Sequence, residues 1–297
     1  MTHQTINIAY HYTSIDTFLK LIEGVQNDKF MFHGSYILSM NDPTEFKYGF
    51  NMVHQLLVPI ENELSVCKDD RLSNIWNTNE IREKQLDMLS DTFSLPFVVC
   101  FSNHKDFLPQ WLTYGNNGIG LSLGFEIQNL CRIIKTKNNK YIDLTNYDNN
   151  KLYALRVSYK RISNKHVFKQ SIRGMYEEYI NKIRDIDDID TKCSIQFHYL
   201  HSIAFYLSAL IKHKAYSYEN ETRILHPRSK IDDVRFRTNA KGQIVPYIRI
   251  GIETSRLKKV IIGPLCDFES TKLMIDTRLK QIGINNVKIT KSTIPFR

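Results

Sequence analysis

A chain of 297 residues with 42% hydrophobic residues can bury a sizeable core, which excludes a disordered tail or linker. No apolar run reaches the roughly 18 residues of a membrane span, and no basic stretch followed by a hydrophobic run opens the sequence, so a cytoplasmic protein with no membrane partner is expected. The formal charge is +9, and from Lys212 to Arg297 18 basic residues stand against 8 acidic ones, so the excess lies in the last third.

That bias suits an acidic partner, a nucleic acid or a phosphorylated cofactor. A lysine- and asparagine-rich composition alone would give the same charge. The five cysteines (Cys67, Cys100, Cys131, Cys193 and Cys266) are odd in number and lie far apart. With no CxxC pair, neither a zinc ribbon nor a disulfide framework is indicated.

In chain order, 6–12 reads as an opening strand. It runs into a helix whose apolar positions Ile15, Phe18, Leu19 and Ile22 keep helical spacing, with Ser14 as N-cap and Gly24 at its end. His11, Tyr12 and Thr13 therefore precede a helix start, where amides favour anions; simple alternation between core and surface explains them equally well. A short strand pair is expected around 30–32 and 36–38. Asp42, Pro43 and Glu45 then form a helix-start signature, which leaves Asn41 unexplained. That helix is expected to run from Thr44 to about Leu57, where Pro59 interrupts, and a second to lie within 71–91.

The apolar run 95–102 predicts a central buried strand. A brief helix ends at Trp111–Gly115, Asn116-Asn117-Gly118 turns, and 119–125 is the next strand. Its glycines leave one face bare, open to a backbone, a flat ligand or a packed helix. Strands are expected at 141–144 and 152–159, then helices over 164–184 and 191–214. His198 and His201 stand one turn apart on the second, with His213 beyond, but no acidic third ligand joins them. A hairpin over 234–238 and 244–253 carries Arg235, Arg237, Lys241 and Arg249 as candidate polyanion contacts. A strand–helix–strand unit closes the chain, parallel by right-handed crossover. The expected organisation is one α+β domain over 1–297 with a helical insertion at 160–214.

The densest chemistry lies at Glu219-Asn220-Glu221-Thr222-Arg223. On an extended strand Glu219, Glu221 and Arg223 share a face, and three charges cannot be buried there unpaired. The face is a polar cleft, or the strand is an edge kept soluble by charge. No Walker loop, GxGxxG, GxSxG, HExxH or zinc-deaminase motif occurs.

An ordered set remains: His11-Tyr12-Thr13-Ser14, Asn41 to Phe46, Cys100-Phe101-Ser102, Trp111-x-x-Tyr114-Gly115, Gly118-x-Gly120-Leu121-x-x-Gly124-Phe125 and Glu219-x-Glu221-x-Arg223. With the closing Ile294-Pro295-x-Arg297, this set resembles the bacterial domain-of-unknown-function family DUF2971 over nearly the whole chain. The His-Tyr-Thr start, glycine-rich strand and late glutamate also resemble the split-sheet ADP-ribosyltransferase superfamily.

That second resemblance implies a split mixed β-sheet core with helical insertions. It also implies NAD as substrate and no metal. His11 and Thr13, with Tyr12 between them, would hold NAD, and Tyr114 would pack on nicotinamide. Glu221 would be catalytic, Glu219 would be the first acid of a Glu-x-Glu pair, and Ser102 resembles the second-strand serine of one branch. Arg223 would keep Glu221 ionised, and the carboxylate would stabilise an oxocarbenium-like transition state. The expected protein is an ADP-ribosyltransferase-like toxin or antiphage effector, with a nucleic-acid or protein acceptor and a neutralising antitoxin as partner. The competing readings are a non-catalytic nucleic-acid-binding module, in which the glutamates only pair with Arg223, and a metal-dependent nuclease.

Overall fold

The opening strand β1 (Ile8–Ser14) passes directly into helix α1 (Ile15–Glu23). Ser14 accepts from the Thr17 amide at 3.1 Å, and the Gly24 amide closes the last turn onto Lys20 and Ile22, so both ends are set by the residues that announce them. The computed structural model describes residues 8–40, 42, 44–64, 96–127, 134–135, 140–141, 153–159, parts of 173–192, 205–226, 231–239 and 242–296.

After β2 (Lys29–Tyr36) comes helix α2 (Glu45–Leu64), then β3 (Phe97–Ser102), the short helix α3 (Leu108–Thr113) and β4 (Gly120–Glu126). The short strands β5 (Ile134–Lys135) and β6 (Lys140–Tyr141) pair with each other, and β7 (Tyr153–Arg156) follows. The chain continues through β8 (Glu221–His226), β9 (Arg235–Thr238), β10 (Ile244–Glu253), β11 (Leu257–Ile262), helix α4 (Phe268–Gln281) and β12 (Lys288–Lys291).

Ten of these strands make one mixed sheet in an α+β architecture, and β3 is its branch point. Along one edge β3 pairs with β8 over its full length, from Phe97–His226 to Ser102–Glu221. Its other edge is shared: Phe97 and Val98 meet β2, whereas Ser102 meets Tyr10 of β1. The sheet therefore forks, with β1, β4, β11 and β12 in one wing and β2, β10 and β9 in the other. Side chains of both wings meet across the fork, where Phe32 packs edge-on against Phe125 at 5.4 Å and tilts against Phe101.

Several boundaries differ from the sequence expectation. The expected strand pair at 30–38 is one strand ending in a 3-10 turn at Ile37–Ser39; Gly34 interrupts nothing, because Ile248 and Ile250 of β10 pack over it. Helix α2 continues through Pro59 to Leu64. The helix expected to reach Lys214 is helical at 205–208, passes through a turn at 209–210 and has ended by Ile211, which bridges Ser158. The hairpin β9–β10 and the parallel β11–β12 pair form as expected. Asn41, Lys241, His198, His201, the helix within 71–91 and most of the 160–214 insertion lie outside the described residues.

Candidate functional site

Residue by residue, β8 is buried between β3 and β7, so the charged edge strand is not what forms. Glu221 and Arg223 do share a face of it, as the period of two requires. Glu219 arrives by another route. It ends a 3-10 turn, Lys214–Glu219, and Asn220 then takes a left-handed conformation (φ 43°) that swings the chain into β8. Asn103 holds this reversal, its amide and Nδ2 donating to the Asn220 carbonyl at 2.9 and 2.7 Å. Ser102 Oγ donates to the Glu219 carbonyl at 2.8 Å and accepts from the His104 amide at 3.1 Å.

Five charged side chains meet beneath this turn. Arg223, with no exposed surface, grips Glu221 through Nε (2.8 Å) and Nη2 (3.0 Å), donates Nη1 to the Ala209 carbonyl at 2.6 Å, and also pairs with Glu45. Lys212 Nζ lies 2.6 Å from Glu219, 3.0 Å from Glu45 and 3.4 Å from Glu221. Glu45 and Lys212 are not among the candidate site residues that the sequence suggests. The helix-start signature already accounted for Glu45, and Lys212 sat inside an expected helix. Both reach the cluster because α2 starts beside it and the chain leaves its helix through a turn at 209–210 to bridge Ser158 at Ile211.

Three carboxylates against two cations leave one negative charge in excess when all are ionised. Burying net charge is costly, so the cluster favours one proton on its least supported acid. Burial raises Glu219 above its ordinary value, beyond what Lys212 recovers. Burial also presses Glu221 upward, but Arg223 and Lys212 outweigh it and bring the carboxyl to about 2. Among the described residues Glu219 Oε1 takes just the Tyr114 hydroxyl, at 3.3 Å. Tyr114 beside it is 36% exposed, and the ring of Tyr216 lies 4.9 Å from Lys212 Nζ. Tyr159 accepts from the Glu221 amide at 2.8 Å, and the burial of its phenol beside that carboxylate raises its pKa.

The sequence-predicted residues divide between the two faces of the sheet. Opposed pairs share a face, so Tyr12 and Ser102 lie on the side of Glu221 and Arg223. Tyr12 is packed there against Trp111 at 4.9 Å, its hydroxyl donating to the His104 carbonyl. His11 and Thr13 point the other way. His11 donates Nδ1–H to the Cys100 carbonyl at 3.0 Å and packs edge-on against Phe32, and burial holds the imidazole below its ordinary value against that bond. The glycine face of β4 is filled: a Cβ on Gly120 would stand 2.3 Å from the Thr13 carbonyl, and one on Gly124 would stand 2.9 Å from the Tyr10 ring. Of the three uses open to that face, close approach of backbone is the one seen at Gly120. Arg235, Arg237 and Arg249 are exposed on the distant β9–β10 hairpin.

Residues 110–224 match the model of a family described as Protein of unknown function (DUF2971). The matched segment runs from α3 to β8 and holds Tyr114, Lys212, Glu219, Glu221 and Arg223, four of them charged members of the cluster. Glu45 lies outside the matched segment and joins the cluster from α2. No curated protein and no solved structure matches the chain. Among the described residues no helix is long and apolar enough to cross a membrane, and no group of His, Cys, Asp or Glu is arranged to hold a metal ion.

Proposed function

We propose that the chain is an NAD-consuming, ADP-ribosyltransferase-like enzyme centred on Glu219 and Glu221. One observation carries this reading: two carboxylates two residues apart share one ammonium yet sit in opposite electrostatic situations. Such a division separates a proton-transferring group from a fixed charge. Breaking the nicotinamide–ribose bond sends its electron pair to the pyridinium nitrogen, which leaves as neutral nicotinamide, while C1′ develops oxocarbenium character. Glu221, held ionised by Arg223, supplies negative potential to that centre. Glu219, the more basic of the two because its value is raised, acts from its ionised form and takes the proton of the acceptor as the acceptor's oxygen or nitrogen closes on C1′. Tyr114, beside Glu219 and partly exposed, is the aromatic positioned to pack on nicotinamide. His11 and Thr13, on the far face, have no part in this arrangement. A toxin or defence role, with a nucleic-acid acceptor and a neutralising partner, belongs to the same proposal.

A second reading has its own support. Every charge of the cluster is paired, and all five side chains are at most 8% exposed, which also describes a structural lock between α2, the 205–219 segment and β8.

Nicotinamide release from NAD separates the two, measured by chromatography for wild type, Glu219→Gln and Tyr114→Ala, with RNA or cell extract as acceptor source. Release that disappears in a folded Glu219→Gln variant supports the enzyme. No release, together with no rise in melting temperature on adding NAD, overturns it and leaves the lock.

A further inference from the structure

The wing of the sheet farthest from α4 presents an unusual face. Along β2 and β10, Phe30, Phe32, Ile248, Ile250 and Ile252 point into the core, so the intervening residues point to solvent. Register places Arg249 opposite His33, Tyr247 opposite both Ser35 and Arg235, and Arg237 opposite Val245. Three guanidiniums thus stand on one face of three adjacent strands. Among the described residues none of them forms an ion pair, and Arg237 donates only to Ser35 Oγ, at 3.0 Å. Between them His33 and Tyr247 pack against each other, ring centroids 4.1 Å apart and planes tilted by 36°. Partial burial and the charges of Arg237, Arg249 and Arg235 together hold His33 below its ordinary pKa, so all three arginines act at one place.

We infer that this face of β2, β10 and β9 binds single-stranded nucleic acid, with phosphates on Arg235, Arg237 and Arg249 and a base stacked at the His33–Tyr247 pair. Like charges gathered without ion-pair partners among the described residues repel one another, and a polyanion converts that repulsion into attraction. The aromatic pair adds what an inorganic anion would not use, a flat surface of the kind on which unpaired bases stack. A membrane surface fits poorly. The exposed apolar residues Phe236 and Ile244 alternate with the arginines and so occupy the opposite face of the hairpin. An unpaired base can reach the aromatic pair, whereas a base stacked inside a duplex cannot, which favours a single strand. The inference does not rest on the glutamate cluster, which lies elsewhere in the sheet.

Fluorescence anisotropy tests it, using the full chain with labelled oligouridine and oligothymidine of about 12 nucleotides and a duplex of equal length. The expected result is binding of at least one single strand in preference to duplex, weakening from about 50 to 200 mM salt with a log–log slope near −2. The double variant Arg235→Glu/Arg237→Glu is expected to bind at least about tenfold more weakly, with a slope closer to zero. Tyr247→Ala should lose roughly tenfold with the slope unchanged. Lys288→Glu/Lys291→Glu on β12, at the opposite end of the sheet, makes the same change in net charge and should bind like wild type. Equal losses in the two double variants would reduce the effect to net charge and overturn the inference. So would a wild type that binds no single strand, or one that prefers duplex. Folding is checked by melting temperature in every variant, and the oligouridine and oligothymidine arms distinguish RNA from DNA.

Discussion

At the residue scale, the glutamates of the cluster should respond in opposite ways to loss of charge. Replacing Glu219 by Gln leaves Glu45 and Glu221 against Lys212 and Arg223, a balanced set. Thermal denaturation at neutral pH should therefore show Glu219→Gln as stable as wild type or more so, although nicotinamide release is lost. Glu221→Gln removes the bidentate partner of a fully buried arginine and should cost about 3–5 kcal/mol. The pH dependence follows the same division. Glu221, lowered from 4.5 to about 2, contributes stability that is complete above pH 4.5 and lost as pH falls toward 2, on the order of 3 kcal/mol. Glu219, raised, acts in the opposite sense: its stabilising protonated form is lost as pH rises from 4.5 through its folded value. Urea denaturation as a function of pH should show the acid-side loss in wild type and not in Glu221→Gln. At this scale the sequence made Glu221 and Arg223 legible, because strand alternation is local. It could not show that Glu219 joins them through the left-handed Asn220, or that a lysine and a helix-start glutamate complete the charge.

At the element scale, the cluster depends on how closely α2 approaches the segment leading to Lys212. A Cβ on Gly49, one turn beyond Glu45, would lie 2.3 Å from the Ser208 carbonyl oxygen, a backbone atom with little room to yield. Gly49→Ala gains up to about 1 kcal/mol in helix propensity, against about 1–3 kcal/mol for overpacking. Overpacking wins, so the variant should melt lower and draw Glu45 away from Arg223 and Lys212. A shift in the pH profile of stability would report that displacement. Elements announced by local signals formed as read: the Ser14 cap, the β9–β10 hairpin and the parallel closing strands. Those that depend on distant partners did not. Gly34 lies within a continuous β2 because β10 covers it, and Pro59 stays within α2, both decided by packing that no short window contains.

At the scale of the whole molecule, Asp106 ties the end of the chain to the loop before α3. Its carboxylate accepts from Trp111 Nε1, Ser292 Oγ and the Thr293 amide, each at 2.7 Å. Burial works against its ionisation, but these bonds outweigh it and hold the carboxyl below its ordinary value. With the Thr293 hydroxyl at 3.0 Å as the fourth donor, Asp106→Ala strands four donors and should cost about 2–4 kcal/mol, with hydrogen exchange rising first in β12 and its flanks.

The fork at β3 bears on how such a chain is made. Strands β2, β3 and β4 carry the phenylalanines that meet across it, yet their long partners β10, β8 and β11 emerge from the ribosome much later. Until then their apolar faces and open edges are exposed to neighbouring chains, which favours slow closure and dependence on chaperones during synthesis. β1 and β4 can pair as soon as both are made, but the second edges of β2, β3 and β4 wait for strands from the last third of the chain.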